Sequence, residues 1–310
     1  MSPRNSAKIV KFSAAVAIAV TSVIGLCALP ALAAPTEGAA PVKSAPTEAD
    51  LNAAKDATLL RICAAADELP YSNRDRSGFE NKIAEAIAEA MGRKAYFVWN
   101  SKSAIYAVRD QLNIKMCDAV IGLDTGDDRV LTTRAYYRAP YVFVQNKASK
   151  LKIESWESPD LALAEKISFV PGTPGQVMLT KLDLFNKHFN YMHSLTNFQD
   201  RRNKYTRVPP QRMVGEVGDG TADLAVAFAP EVARFVKAND KLKMTVIPDN
   251  NVRVDGERVP HHFDQSVGVR KDDKDLLAAI DAAIEMARPK IEALLKEEGI
   301  PLLSPTPPRT

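Results

Sequence analysis

The side chains with most to offer chemically gather in one short word, Asp124-Thr125-Gly126-Asp127-Asp128-Arg129, which follows the apolar run Ala119-Val120-Ile121-Gly122-Leu123. Arg129 carries a rigid fork of donors that suits a carboxylate held by two parallel hydrogen bonds. Three acids stand within five positions of it, so Asp124, Asp127 or Asp128 can consume the same guanidinium as an internal ion pair. Asp-Thr-Gly after an apolar strand is also the local word of an aspartic protease, a chemistry that needs two carboxylates sharing one proton. The word occurs once in an α/β pattern, so that reading is rejected. A second place is Phe169-Val170-Pro171-Gly172-Thr173-Pro174-Gly175, where a strand passes into a helix. Free backbone amides and the Thr173 hydroxyl beside Gly175 can hold an anion there, or simply start the helix. His188 with His193, and the adjacent His261 and His262, lack metal spacing with a third ligand, so no metal is expected. No nucleotide loop, nucleophile elbow, haem attachment motif or spaced acid–base pair appears, so neither a cofactor nor catalysis is expected.

The elements that must position these residues follow from short apolar runs and helical spacing. Leu59 to Ala64, Ala95 to Trp99 and Ala119 to Leu123 read as buried strands. Between the first two, Phe79, Ile83, Ile87 and Met91 recur every four residues, with Ser77 and Glu80 at capping-box spacing and Gly92 as the stop. Ile105, Val108 and Leu112 mark a second helix. Strand–helix alternation predicts a mostly parallel sheet with helices on both faces, and ligands then sit outside the carboxyl ends of its strands. That places a functional edge at Asp67–Ser72 and Asp124–Arg129. A strand over Tyr141–Val144 leads into a second series: strands at Lys166–Val170, Ala222–Phe228 and Met244–Ile247, with helices at Gly175–Leu184, Pro210–Val217 and Glu231–Ala238. Phe263–Arg270 is a strand leading back, and Lys274–Met286 and Ile291–Glu298 are two closing helices. The result is two α/β lobes with the chain crossing near Gln145 and returning near Phe263, a double hinge that confines motion to opening, closing and twisting.

The chain begins with Arg4, Lys8 and Lys11, an almost charge-free run from Phe12 to Leu32, and Ala31-Leu32-Ala33, the pattern of a cleaved signal peptide over residues 1–33. Cys27 opens no lipobox. Residues 34–57 are rich in Ala, Pro, Thr and Glu and read as a flexible tether. Lobe I is assigned to 58–144 and 263–310, and lobe II to 145–262. Removing the export segment leaves 38 basic against 38 acidic residues, without the clustered basic surplus that nucleic acid requires. The run Arg201-Arg202-Asn203-Lys204 reads as a solvated loop. Export leaves Cys63 and Cys117, an even pair that predicts a disulfide in an oxidising compartment; two buried thiols are the alternative. The segment Lys187–Arg207 mixes Phe189, Tyr191, Met192 and Phe198 with basic residues, as a contact surface does, or packs on itself as an insertion.

Leu60 to Cys63 with Pro70-Tyr71, Gly78-Phe79-Glu80, Val120-Ile121-Gly122 to Arg129, Tyr136-Tyr137 with Tyr141, and Phe169 to Gly175 together resemble the polar-amino-acid type of periplasmic solute-binding proteins, the extracellular solute-binding protein family 3 superfamily. Within it, Leu69-Pro70-Tyr71-Ser72, Ser77 to Ala84, Met91 to Lys94, Ile105-Tyr106 with Arg109 to Leu112, Cys117-Asp118, Gly122 to Thr133, Tyr136-Tyr137-Arg138, Tyr141 to Phe143 and Arg212-Met213-Val214 resemble the quinoprotein-dehydrogenase-associated members called methanol oxidation protein J. The resemblance spans nearly the whole mature chain and is looser between Lys187 and Val208. It implies the two-lobed periplasmic binding protein fold (type II), each lobe a mostly parallel sheet flanked by helices, joined by a two-strand hinge. It also implies a cleft for a ligand or partner lined by Tyr71 as aromatic floor, Asp124, Thr125, Arg129 in the place of a carboxylate receptor, Thr173 and Gly175. The implied role is that of a periplasmic accessory protein binding, or helping to assemble or activate, a PQQ-dependent methanol dehydrogenase, with its c-type cytochrome nearby. The membrane is met only through the signal peptide during export. The alternative is a receptor for a small carboxylate serving a transporter or sensor. Amino-acid binders place an acid just after the strand matching Ala225–Phe228; here Phe228-Ala229-Pro230 follows, with no carboxylate until Glu231. Asp124 meanwhile stands where they tend to use small hydroxyl or backbone groups. Simple capture of a zwitterion is therefore not expected.

Overall fold

The computed structural model describes residues 46–102, 104–196, 208–304 and 306. The export segment, Cys27, the tether up to residue 45, Phe198 and Arg201–Lys204 lie outside the described residues. The first element falls within the stretch read as tether: a short helix α1 (Glu48–Ala53), where the Thr47 hydroxyl accepts from the Asp50 N–H and the Asp50 carboxylate from the Thr47 N–H. That reciprocal cap sits in the sequence as Thr47-Glu48-Ala49-Asp50, a start signal for a helix too short to show periodicity.

Lobe I is built as its apolar runs dictate. Strand β1 (Leu59–Ala65) feeds a small hairpin, β2 (Asp67–Glu68) and β3 (Ser72–Asn73), then helix α2 (Phe79–Ala90) and strand β4 (Lys94–Asn100). The cap of α2 is Gly78, not Ser77, and no side chain caps it. The reason is steric: a Cβ at Gly78 would stand 2.2 Å from the Tyr71 carbonyl oxygen, so the hairpin backbone lies where a side chain would be. The second predicted helix is a 3-10 turn, Ala104–Tyr106, and a π-helical turn, Val108–Leu112. Strand β5 (Ala119–Asp124) and the short β6 (Leu131–Thr132) follow, and then β7 (Tyr137–Asn146).

Lobe II continues with β8 (Ile167–Phe169), α3 (Pro174–Lys181), α4 (Phe185–Ser194), α5 (Pro210–Gly218), β9 (Leu224–Phe228), α6 (Ala229–Lys237) and β10 (Leu242–Val246). The chain returns through β11 (His262–Val269) and ends in α7 (Lys274–Glu298). The last two predicted helices are one helix, with Pro289 inside it. Pro289 is exposed, while Ile280, Ile284, Ala287, Ile291 and Leu295 keep one buried stripe running past it. Packing of that stripe offsets the backbone hydrogen bond that proline removes.

One sheet joins every strand except the β2–β3 hairpin, in the order β4-β1-β5-β11-β7-β9-β8, with β10 on β7 and β6 on β11. Parallel pairing is confined to β4, β1 and β5 on one side and to β8 and β9 on the other; β7 and β11, which link the lobes, run antiparallel to their neighbours. Strand β7 serves both sides: Tyr137–Pro140 pair with β11, and Tyr141–Val144 with β9. The change of partner thus falls at Pro140–Tyr141, ahead of Gln145, which is buried inside the lobe II sheet. Arg138 braces this joint, donating from Nη1 to Asp264 at 2.7 Å and from Nη2 to Asp249 at 3.5 Å. The Leu303 N–H donates to the Arg138 carbonyl at 3.0 Å, laying the chain's end along the same strand.

The cores are separate. One holds Val142–Val144, Trp156, Phe169, Met213 and Leu224–Ala227. A second packs α2 and α7 on β1, β5 and β11. A third surrounds the disulfide Cys63–Cys117, formed as predicted with Cα atoms 5.4 Å apart, among Val98, Leu112, Val120 and Leu123. Helix α4 packs on its own lobe: Met192 is buried in the first core and the Tyr191 hydroxyl donates to Glu216 of α5 at 2.8 Å, while the exposed Phe189 stacks on His193.

Candidate functional site

A cavity of about 410 Å³ opens at the carboxyl ends of β1 and β5. The β2–β3 hairpin contributes Glu68 and Tyr71, the first turn of α2 contributes Glu80, and β5 contributes Gly122, Leu123 and Asp124. The loop after β5 adds Asp127 and Arg129, and the joint adds Tyr141 from β7, Phe263 and Gln265 from β11, and Phe228 and Glu231 from the β9–α6 turn. Of the residues singled out in the sequence, Tyr71, Asp124 and Arg129 meet here; Thr125, Thr173 and Gly175 do not line the cavity.

Arg129 is engaged by its own neighbour. Its Nε donates to Asp127 Oδ1 at 2.9 Å, its Nη2 to Oδ2 at 2.5 Å, and its backbone N–H to Oδ1 at 2.9 Å. These bonds hold the Asp127 carboxyl below the usual carboxylate range and the Arg129 guanidinium above its ordinary value. Of the two uses open to Arg129, the internal pair is the one present. Asp124 accepts from Gln265 Nε2 at 2.6 Å, yet desolvation pushes its carboxyl above the ordinary value and the charge of Asp127 adds to the effect. Thr125 is turned to the sheet, its hydroxyl 2.5 Å from Ser266 Oγ and its N–H donating to the Asp264 carbonyl.

The strand-to-helix loop of lobe II is occupied by its own contacts. The Thr173 hydroxyl donates to the Val170 carbonyl at 2.6 Å, and the Gly172 N–H is taken by Gln176 Oε1 at 2.8 Å. Gly175 is buried, and a Cβ there would stand 3.0 Å from Val226, so it serves close packing of α3 on β9.

Sequence reasoning missed Glu80. It is 9% exposed and lines the cavity, its carboxyl driven well above the ordinary value by burial first and the charge of Glu68 second. The signal was available, since Glu80 shares the inward face of α2 with Ala84 and Ile87, an acid on an apolar stripe. Gly122 makes room for it: its φ is +74°, and a Cβ there would lie 1.9 Å from Glu80 Oε1. Glu68 accepts from the Ala104 N–H at 2.8 Å. Three rings close the joint, Tyr141 with Phe228 at 5.4 Å, Tyr141 with Phe263 at 5.9 Å and Phe228 with Phe263 at 6.1 Å between centroids. The carboxylate that seemed to be lacking after β9 is Glu231, which reaches this cavity from the first turn of α6.

The histidines have structural partners. His188 is buried and accepts from the Ile167 N–H at 3.3 Å; His261 is buried and accepts from Trp156 Nε1 at 2.9 Å, and burial holds it below its ordinary value. Among the described residues no group of three His, Cys, Asp or Glu is placed to hold a metal ion, and no helix is long and apolar enough to cross a membrane.

A family model for bacterial extracellular solute-binding proteins, family 3, matches residues 60–296, which span both lobes and the joint. The chain belongs to this family. Within it, the chain is 49% identical over 292 residues to protein MoxJ of Methylorubrum extorquens, covering 94% of this chain and 96% of the relative. It is 43% identical over 249 residues to protein MoxJ of Paracoccus denitrificans, covering 80% and 90%. The crystal structure of MxaJ from Methlophaga aminisulfidivorans MPT superposes with a TM-score of 0.76 at 46% identity, covering 79% of this chain and all of that one. The resemblance to the methanol oxidation protein J members of the family is borne out by these relatives, and with it the two-lobed periplasmic binding protein fold.

Proposed function

We propose that this chain is a periplasmic accessory protein of methanol oxidation that binds a PQQ-dependent methanol dehydrogenase and helps it to assemble or become active. Its cleft holds a segment of that partner instead of a free metabolite. The kinship with MoxJ and MxaJ proteins supports the pathway. The observation that carries the choice of a macromolecular partner is the Arg129–Asp127 pair. Arg129 is the one cationic side chain lining the cavity among the described residues, and the Nε–Nη2 edge of its guanidinium is taken by Asp127, whose charge offsets its own, so a small carboxylate meets a weakened receptor. The same fact speaks against the alternative of a carboxylate receptor for a transporter or sensor. The role is binding, not catalysis.

The test is native mass spectrometry of the mature protein with its cognate dehydrogenase, loaded with PQQ and free of it. A stoichiometric complex in at least one state is expected. Absence of a complex in both, together with a dicarboxylate raising the melting temperature by mass action, would overturn the proposal in favour of the receptor.

A further inference from the structure

The cavity is acidic in a way that neither the fold nor the partnership requires. It is lined by five carboxyl groups, those of Glu68, Glu80, Asp124, Asp127 and Glu231, against the single guanidinium that Asp127 already neutralises. Carboxylates alone make no site. What singles this place out is Glu80, more than nine-tenths buried, facing the cavity, with no hydrogen bond from a described residue reaching its carboxyl group. A buried polar group is ordinarily satisfied by the protein, and an exception calls for a partner from outside. The sequence also maintains the space: Gly122, in the left-handed region inside a strand, is where any other residue would drive a Cβ onto that carboxyl.

We propose that the cleft binds an organic cation, an ammonium or guanidinium on an apolar stem, with the Glu80 carboxyl as its innermost partner and Glu231 and Asp124 around it. The remaining wall fits such a guest. Tyr71 packs on Phe79 at 5.3 Å, and Tyr141, Phe228 and Phe263 present a cluster of rings whose faces attract a cation and whose area suits its stem. A metal ion would need its oxygens converged at short range, which the described residues do not offer. A zwitterion would bring its carboxylate among acids, with Arg129 already engaged. The inference deepens the preceding reading and rests on it only for the source of the cation, a lysine or arginine side chain of the partner as against a free amine.

Isothermal titration calorimetry on the mature protein tests the site, with Nα-acetyl-lysine N-methylamide and methylguanidinium as cationic probes and succinate as the anionic one. Saturable 1:1 binding of a cationic probe is expected, with no heat from succinate and at least tenfold weaker binding by Glu80→Gln. Silence from both cationic probes, preference for succinate, or undiminished binding by Glu80→Gln would overturn it. Should Glu80→Gln fail to fold by circular dichroism, Glu231→Gln carries the same expectation. Capture of the dehydrogenase by wild type and variant separates the two proposals. Equal capture by both, with probe binding weakened in the variant, leaves the partnership and assigns the site to a free amine; equal capture with no probe binding sinks the cation site alone. Probe binding without any capture sinks the partnership and assigns the site to a free amine.

Discussion

Replacing Gly122 by alanine sets two costs against each other in one position. Gly122 has φ +74°, a conformation that costs an L-residue about 1–2 kcal/mol. The new Cβ would also stand 1.9 Å from Glu80 Oε1 and 2.7 Å from its Cδ, so the buried carboxyl must leave its place, an overpacking cost of about 1–3 kcal/mol. The sum of about 2–5 kcal/mol corresponds to a fall in melting temperature on the order of 10 °C for a chain of this size. A double-mutant cycle separates the parts. With Glu80→Ala already present, Gly122→Ala retains only the backbone share, and the two sites show a coupling of about 1–3 kcal/mol, the overpacking share. Urea unfolding followed by tryptophan fluorescence, with the disulfide intact, measures all four corners. Additivity within about 0.5 kcal/mol would refute the reasoning, because it would mean that Glu80 does not lie against this glycine.

Opening the Cys63–Cys117 bridge, which spans a sequence separation of 54, costs about 4 kcal/mol in the chain-entropy account; a melting temperature unchanged by reductant would contradict it. Arg138→Met leaves Asp264 and Asp249 facing each other at the joint and destabilises by about 3 kcal/mol, part of which Asp264→Asn restores; chemical denaturation decides. Burial holds the His261 imidazole below its ordinary 6.5, so below that pH the unfolded chain takes up a proton that the folded chain refuses. Stability present at neutral pH is therefore lost as the pH falls through that region, and the melting temperature of wild type drops more steeply between pH 7 and 5 than that of His261→Gln. Parallel profiles would count against it.

The elements that were legible are those whose signal is local. Each long strand announces itself as an apolar run, and α2 as a four-residue repeat, because burial on one face writes itself into composition. Ser77 was misread because a capping box is only a side-chain pattern, whereas the start of α2 is set by the hairpin backbone crowding Gly78. Pro289 suggested a break that packing along α7 overrides. The site was half legible. The edge formed by Asp67–Ser72 and Asp124–Arg129 supplies Glu68, Tyr71, Asp124, Asp127 and Arg129 to the cavity wall, but not Glu80. Which acid claims Arg129 depends on the path of the loop between β5 and β6, and no spacing rule chooses between Asp124, Asp127 and Asp128. Thr173 and Gly175 satisfy their own loop, a matter of tertiary contact with Val170 and Val226.

A single unbroken strand shared by both halves works as a torsion bar. Relative rotation has to be absorbed as twist around Pro140–Tyr141, while the ladders on either side stay intact. Tyr141, Phe228 and Phe263 ride on three different strands at that point, so a few degrees of rotation change the angles between their rings. The near-ultraviolet dichroism of those rings is thereby a built-in gauge of how far the jaws have swung.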